Sequence, residues 1–353
     1  MPQGESPRDQ QPPSVRDRLA AMRPDLGGVL RSHHAPGFRH KQVLQHLMAS
    51  TGVPFAANTS LPLCLRTALD ACGHSTLRLL KQQDAADGSS KLLLACADEA
   101  HIEAVVMRYP RRNTVCVSSQ AGCPLACAFC ATGRAGFRRN LTPAEIVDQG
   151  REAAALLGRE GRRLSNVVFM GMGEPLLNLD AVLVAIREFS APDGLGIGRR
   201  SISVSTVGIP QAMVRLAEET PQVHLALSLH APDDRIRSSL MPVAKRYSLR
   251  QVLDATSEHF RLTHRKLLVE YVLLQGINDS PVQARQLATL LRGRVVTVNL
   301  LAWNRVEGPF RPSPPEDIQA FSEELTARGI ETVVRAGRGQ MVHGACGQLA
   351  AHR

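Results

Sequence analysis

The chain has 353 residues, 44% of them hydrophobic and only 4% aromatic. That supports one large domain, or a domain with an appendage, whose core is filled by Leu, Val and Ala. No apolar run approaches the length of a bilayer span, and the first thirty residues are polar and Pro-rich with acids among the bases, unlike a secretory leader; both features point to a cytoplasmic protein. The 42 Lys and Arg outnumber the 32 Asp and Glu, leaving a net charge of +10, which suggests a polyanionic partner, nucleic acid first among them.

In chain order, residues 1–30 read as a disordered tail. Residues 31–110 read as a small accessory domain, helices first and an antiparallel β meander after. "FRHKQVLQHLMAS" and "SLPLCLRTALDAC" place apolar residues at helical spacing. "STLRLLKQQ", "KLLLACA" and "HIEAVVMRY" are short apolar-rich runs divided by polar breaks such as "DAADGSS". Residues 111–335 then alternate strand and helix, with candidate strands at 113–119, 166–171, 201–208, 223–230, 266–274 and 295–303. Six such units imply an α/β fold with parallel pairing and right-handed crossovers. They fit an open doubly wound sheet or an incomplete barrel, and in either case the site lies at the carboxyl ends of the strands. Residues 336–353 read as a mobile C-terminal tail.

The chemistry concentrates in "AGCPLACAFCATG", which carries Cys123, Cys127 and Cys130 in a C-x3-C-x2-C spacing. The stretch follows the first strand of the alternating region. It precedes a marked helix start, with Thr142 as N-cap, Pro143 in the first turn and Glu145 completing a capping box. Three clustered thiolates suit zinc or an iron–sulfur cluster. A closed zinc site needs a fourth ligand, and no further Cys or His occurs between Cys116 and His224. A cubane held by three thiolates keeps one iron open for a substrate. Around this loop, residues 104–140 hold six arginines and no acid, a candidate surface for phosphates.

With an aromatic residue, Phe129, before the last cysteine, this motif resembles the signature of the radical S-adenosylmethionine enzymes. The resemblance implies a partial (βα)6 barrel, a 4Fe–4S cluster on Cys123, Cys127 and Cys130, and S-adenosylmethionine bound at the open iron. It places the cofactor against Gly173 and Glu174 of "GMGEP", Ser205, then Ser228, Leu229 and His230 of "LSLH", and Asn304 after the last strand. "CVSSQAGCPLACAFCATGRAGFRRNLTPAEI", "VVFMGMGEPLLN", "SVSTVGIP", "LALSLHAPDD" and "GACGQL" resemble one branch closely, the RlmN/Cfr family of RNA adenosine methyltransferases. In that family's chemistry Cys346 accepts a methyl group from one S-adenosylmethionine and a second supplies the radical, so two are used per turnover. Cys116 then resolves the protein–RNA adduct through a transient disulfide with Cys346, and Glu103 accepts the ring proton. The implied substrates are 23S rRNA and tRNA, with an electron donor such as flavodoxin and a monomeric enzyme. The Arg-Gly before Cys346 favours the branch that methylates adenine C2 over the branch that methylates C8. A different class stays open beside these: a zinc-stabilised, non-enzymatic RNA-binding protein. Cys64, Cys72 and Cys96 read as small buried hydrophobes.

Overall fold

The computed structural model describes residues 13–49, 53–335 and 337–350. Four helices open it: α1 (Val15–Met22), α2 (Pro24–Ser32), α3 (Gly37–Ala49) and α4 (Leu63–Cys72). The first two correct the expectation of a tail over residues 1–30; of that stretch, only residues 1–12 lie outside the described residues. Ser14 caps α1 through the Asp17 N–H, and Leu19, Leu26 and Leu30 are fully buried. Arg18 reaches from α1 into the main domain, where it pairs with Glu188 at 2.8 Å and Asp193 at 2.7 Å. Prolines and charges hide this pattern in the sequence, because the apolar positions fall on two short helices rather than one long one.

The meander follows as β1 (Leu77–Asp84), β2 (Ser89–Cys96) and β3 (His101–Arg108), and β4 (Asn113–Cys116) continues it. β3 pairs antiparallel with β4, with Val105 opposite Cys116, so the meander and the alternating region share one sheet. A small hairpin of β5 (Gln120–Gly122) and β6 (Phe137–Asn140), with α5 (Ala131–Ala135) between, brackets the cysteine loop. The alternation then runs α6 (Pro143–Arg159), β7 (Asn166–Phe169), α7 (Leu179–Ser190), β8 (Ile202–Thr206), α8 (Pro210–Glu219), β9 (His224–Ser228), α9 (Asp234–Leu240), α10 (Leu249–Thr263), β10 (Leu267–Leu273), α11 (Pro281–Leu291), β11 (Val296–Ala302), α12 (Pro315–Thr326) and β12 (Glu331–Arg335).

These strands form one ten-stranded sheet in the order β1-β2-β3-β4-β7-β8-β9-β10-β11-β12, parallel from β4 onward. Six strand–helix units from β4 to α12 make the partial barrel that the sequence implied. The edge strand β12 closes the series and was not among the six candidates. Val333 and Val334 are both exposed, so β12 has neither the alternation nor the continuous burial that marks a strand. Central strands are buried on both faces: β9 buries Leu225, Ala226 and Leu227, and β11 buries Val298, Asn299 and Leu300.

Residues 337–350 are the described part of the segment read as a mobile tail. They lie packed across the gap between β12 and the meander. Arg338 donates to the carbonyls of Asp87 (2.7 Å) and Arg108 (3.0 Å), and the Gly339 N–H donates to the Asp87 carboxylate. Further along, the Ala131 N–H donates to the Gly347 carbonyl, the Thr132 hydroxyl to the Leu349 carbonyl and the Ala350 N–H to Glu103.

Candidate active site

The three cysteines line one cavity of about 180 Å³ at the carboxyl ends of the parallel strands. Their loop is held from several sides. The Cys123 N–H donates to the Gly136 carbonyl, the Ala128 N–H to the Leu240 carbonyl, and the Trp303 indole to the Phe129 carbonyl at 3.0 Å. Trp303 is thus a packing and anchoring residue. Gly133 lets the loop turn back on itself, since a Cβ there would meet the Cys127 nitrogen at 2.8 Å. Burial pushes the Cys123 thiol up to about 12 and Cys127 higher, with the neighbouring thiols adding to both. Mutually repelling buried thiolates of this kind call for a cationic centre. Among the described residues no three His, Cys, Asp or Glu side chains converge on the position of a single ion, whereas a cluster spreads its thiolates over separate irons. The one histidine among the residues lining this cavity, His230, already accepts the Val272 N–H at Nδ1 and so is not free to complete a zinc site. The residues fit a cluster.

The "GMGEP" segment enters the same cavity. Gly173, at φ +98°, would drive a Cβ to 2.5 Å from Gln120, and Gly171 would meet the Val117 carbonyl oxygen at 2.7 Å. These glycines make room first for the protein's own chain beyond β4. Glu174 is buried, and its carboxylate accepts the backbone N–H groups of Leu176 and Val207, each at 3.0 Å. Burial nonetheless pushes it up to about 7, a carboxylate still short of a positive partner, as the ammonium of an amino acid would be. The Ser205 and Ser228 hydroxyls lie 3.3 Å apart on the cavity wall. Leu229 is fully buried and does not line the cavity. His230 stands edge-on to Phe129 at 4.9 Å, and burial pushes its imidazole down to about 3. With Nδ1 accepting, the neutral ring carries its proton on Nε2. Asn304 lines the cavity, but both ends of its amide are engaged: it donates to the Cys346 carbonyl at 3.0 Å and accepts from Gln340 at 2.8 Å.

A second cavity, of about 480 Å³, lies behind the first. Cys346 lines both, whereas Cys116 lines only the second. Cys346 has exposed surface facing this space, yet the protein packed around it pushes its thiol up. Cys116 is buried and pushed up to about 12, by burial first and then by Cys346. All eight cysteines are free thiols, so the Cys116–Cys346 disulfide is not formed here. Glu103 is set apart. It is buried, pairs with Lys91 at 2.9 Å, accepts the Ala350 N–H, and lines a third cavity beneath the C-terminal segment.

The basic stretch changes character in three dimensions. Arg108 pairs with Glu160, Arg138 with Asp98, and Arg139 with both Asp98 and Glu145. These acids lie outside residues 104–140 or at a distance the sequence window misses. Glu270 and Arg335, 3.5 Å apart on the wall of the first cavity, were not singled out in the sequence. A glutamate inside the apolar run "LLVEYVLL" was the available signal.

A profile described as the Radical SAM superfamily matches residues 117–288. The probable dual-specificity RNA methyltransferase RlmN of Thermus thermophilus is 44% identical over 332 residues, covering 94% of each chain. The protein of that description from Frankia alni is 47% identical over 90% of this chain and 78% of its own. The crystal structure of a radical SAM methyltransferase from Sphaerobacter thermophilus superposes with a TM-score of 0.89 at 41% identity, covering 92% of this chain and 96% of that one. At this identity across nine-tenths of the chain, and with a solved methyltransferase superposing over nearly its whole length, the chain belongs to the RlmN family of radical SAM methyltransferases.

Proposed function

We propose that the protein methylates C2 of adenosine in 23S rRNA and in tRNA, with Cys346 carrying the incoming methyl carbon. The observation that carries this is the position of Cys346: it faces the cluster cysteines on one side and Cys116 on the other. When bound, a 4Fe–4S cluster on Cys123, Cys127 and Cys130, together with S-adenosylmethionine, supplies one-electron access to a carbon radical. The chain's own residues do the rest. Glu174 is the anchor for an ammonium, and the Ser205–Ser228 pair and the neutral His230 offer hydrogen bonds along the same wall. Cys346 accepts a methyl group as a thiolate, and the carbon it holds then meets the adenine ring. This uses one S-adenosylmethionine for the methyl group and a second for the radical. Release of the RNA from Cys346 falls to the adjacent Cys116 thiol. Glu103 takes the ring proton in this reading, and the Ala350 N–H that it now accepts gives way to the base. A small reductant protein of the flavodoxin kind supplies electrons to a monomeric enzyme working on cytoplasmic RNA.

The deciding experiment incubates reconstituted enzyme with S-adenosylmethionine, reductant and protein-free 23S rRNA, followed by nucleoside mass spectrometry. 2-Methyladenosine is expected, and Cys346→Ala abolishes it while retaining the cluster absorption. 8-Methyladenosine would assign the protein to the C8 branch instead. Absence of either from a brown, active preparation would overturn the substrate.

A further inference from the structure

The second cavity opens to solvent at the amino-terminal ends of the parallel strands. Thr114 of β4, Asn166 of β7, Ser203 of β8 and His224 of β9 line it, and the exposed Arg112 and Arg200 stand at its rim. The first cavity, with the cluster cysteines, occupies the carboxyl ends. Cys346 is therefore reached from two opposite directions.

The rim is positively charged, and Arg112 and Arg200 on it have no carboxylate partner among the described residues; Arg265 stands behind the lining residue His224. Arg265, two residues before β10, donates to His224 Nε2 at 3.2 Å, and its own Nε is buried without a hydrogen-bond partner. Burial and the neighbouring Arg200 hold the Arg265 guanidinium below its ordinary range. Burial, then Arg265, likewise lowers His224, so the imidazole is neutral and accepts. Among the described residues, none of Arg112, Arg200 and Arg265 pairs with a carboxylate, in contrast to Arg108, Arg138 and Arg139. Arg112 and Arg338 both stack on Tyr109, at 4.7 and 4.3 Å, beside the same opening. Crowding guanidinium groups without a counter-charge is unfavourable unless an anion completes the arrangement. Phosphate suits the fork of a guanidinium, and a strand passing Tyr109 would meet the two guanidinium groups that stack on its ring.

The geometry points to this amino-terminal opening as the entrance for the RNA strand: Arg200 and Arg265 hold the phosphate beside the target nucleotide, Arg112 and Arg338 hold a flanking one, and the target base enters between Cys116 and Cys346. The inference rests on the RNA methylation proposed above. It gives the two cysteines a spatial logic, because the cofactor approaches Cys346 from one end of the barrel and the base from the other. A cavity of 480 Å³ lies within the range of pockets that enclose small organic groups, and a base must leave its helix to occupy it.

The test measures binding of protein-free 23S rRNA by the reconstituted enzyme across a salt series, together with methylation kinetics. Arg200→Gln and Arg265→Gln should each make the slope of log affinity against log salt shallower by about one and raise the KM for RNA. Cluster absorption and cleavage of S-adenosylmethionine without RNA should be unchanged. Arg250→Gln, exposed on the outer helix α10, should leave slope and KM as in the wild type. Arg200 is exposed, so its variant reports on binding even if Arg265→Gln disturbs the fold. If wild-type enzyme methylates RNA while Arg200→Gln keeps both slope and KM, the entrance is overturned and the methylation stands. An equal loss in Arg250→Gln would reduce the effect to overall charge and also overturn it. If the wild type neither binds nor methylates RNA, both fall together.

Discussion

Glu174 shows what burial does to one side chain. Two backbone donors favour its ionised form, yet desolvation outweighs them and the carboxyl rises from its ordinary 4.5 to about 7. An acid whose folded pKa is raised binds its proton more tightly in the native state than in the unfolded chain. Stability is then highest below the ordinary pKa and declines as pH climbs through the window from 4.5 to about 7. The expected decline is about 3 kcal/mol for the protein without S-adenosylmethionine. Denaturant unfolding of wild type and Glu174→Gln over that pH range checks it. Glutamine must leave one backbone donor unpaired, so its absolute stability drops; the informative quantity is the difference between the two curves. Parallel curves would show that Glu174 does not titrate in this window. The motif "GMGEP" was legible as a site in the sequence, but the balance of forces on Glu174 was not, since it depends on Val207 from the end of a different strand.

At the scale of elements, periodicity located α3 and α4, and short apolar-rich runs between polar breaks located the three meander strands, to within a few residues. Both signals missed α1, α2 and β12, whose burial or pairing is supplied by distant neighbours. The docking of α1 carries a measurable consequence. Glu188 is fully buried on α7, and Arg18 is its cationic partner. Arg18→Ala leaves that carboxylate unpaired, and the expected loss is about 3–5 kcal/mol in the unfolding free energy by chemical denaturation. A paired Arg18→Met, Glu188→Leu variant should recover most of it, because two apolar side chains of similar volume restore the contact and only the partly exposed Asp193 loses its partner. A loss within 1 kcal/mol for Arg18→Ala, about the size of a surface pair, would mean that Glu188 finds another donor.

On the scale of the whole molecule, the open sheet is bridged by the C-terminal segment, which carries Cys346 to the junction of two cavities. Asp87, in the turn between β1 and β2, is the far anchor: its carboxylate accepts the Gly339 N–H at 2.6 Å and the Ser89 N–H at 2.9 Å. Asp87→Ala should accelerate hydrogen exchange at residues 337–350 by about tenfold or more, with exchange in β8–β10 unchanged. Equal protection in the variant would show that the bonds from Ala131, Thr132 and Ala350 hold the segment without this latch.

Local chemistry was legible from neighbouring residues alone. Three thiols at fixed spacing on a loop, glycines before a glutamate, and alternating strands and helices are properties of neighbouring residues; they located the cluster loop and the α/β class, while the barrel and the family came from the resemblance of the longer motifs. Tertiary structure decided everything that depends on residues far apart in the chain. It neutralised Arg108, Arg138 and Arg139 with Asp98, Glu145 and Glu160, turned Asn304 onto Cys346, and set Glu103 beneath Ala350 rather than in the cysteine cavities. It also gathered Arg112 and Arg200 from two separate connections at one opening, with Arg265 of a third behind His224. Charge counts and motifs carry no record of such pairings, because which charges meet is settled only when the sheet brings their strands side by side.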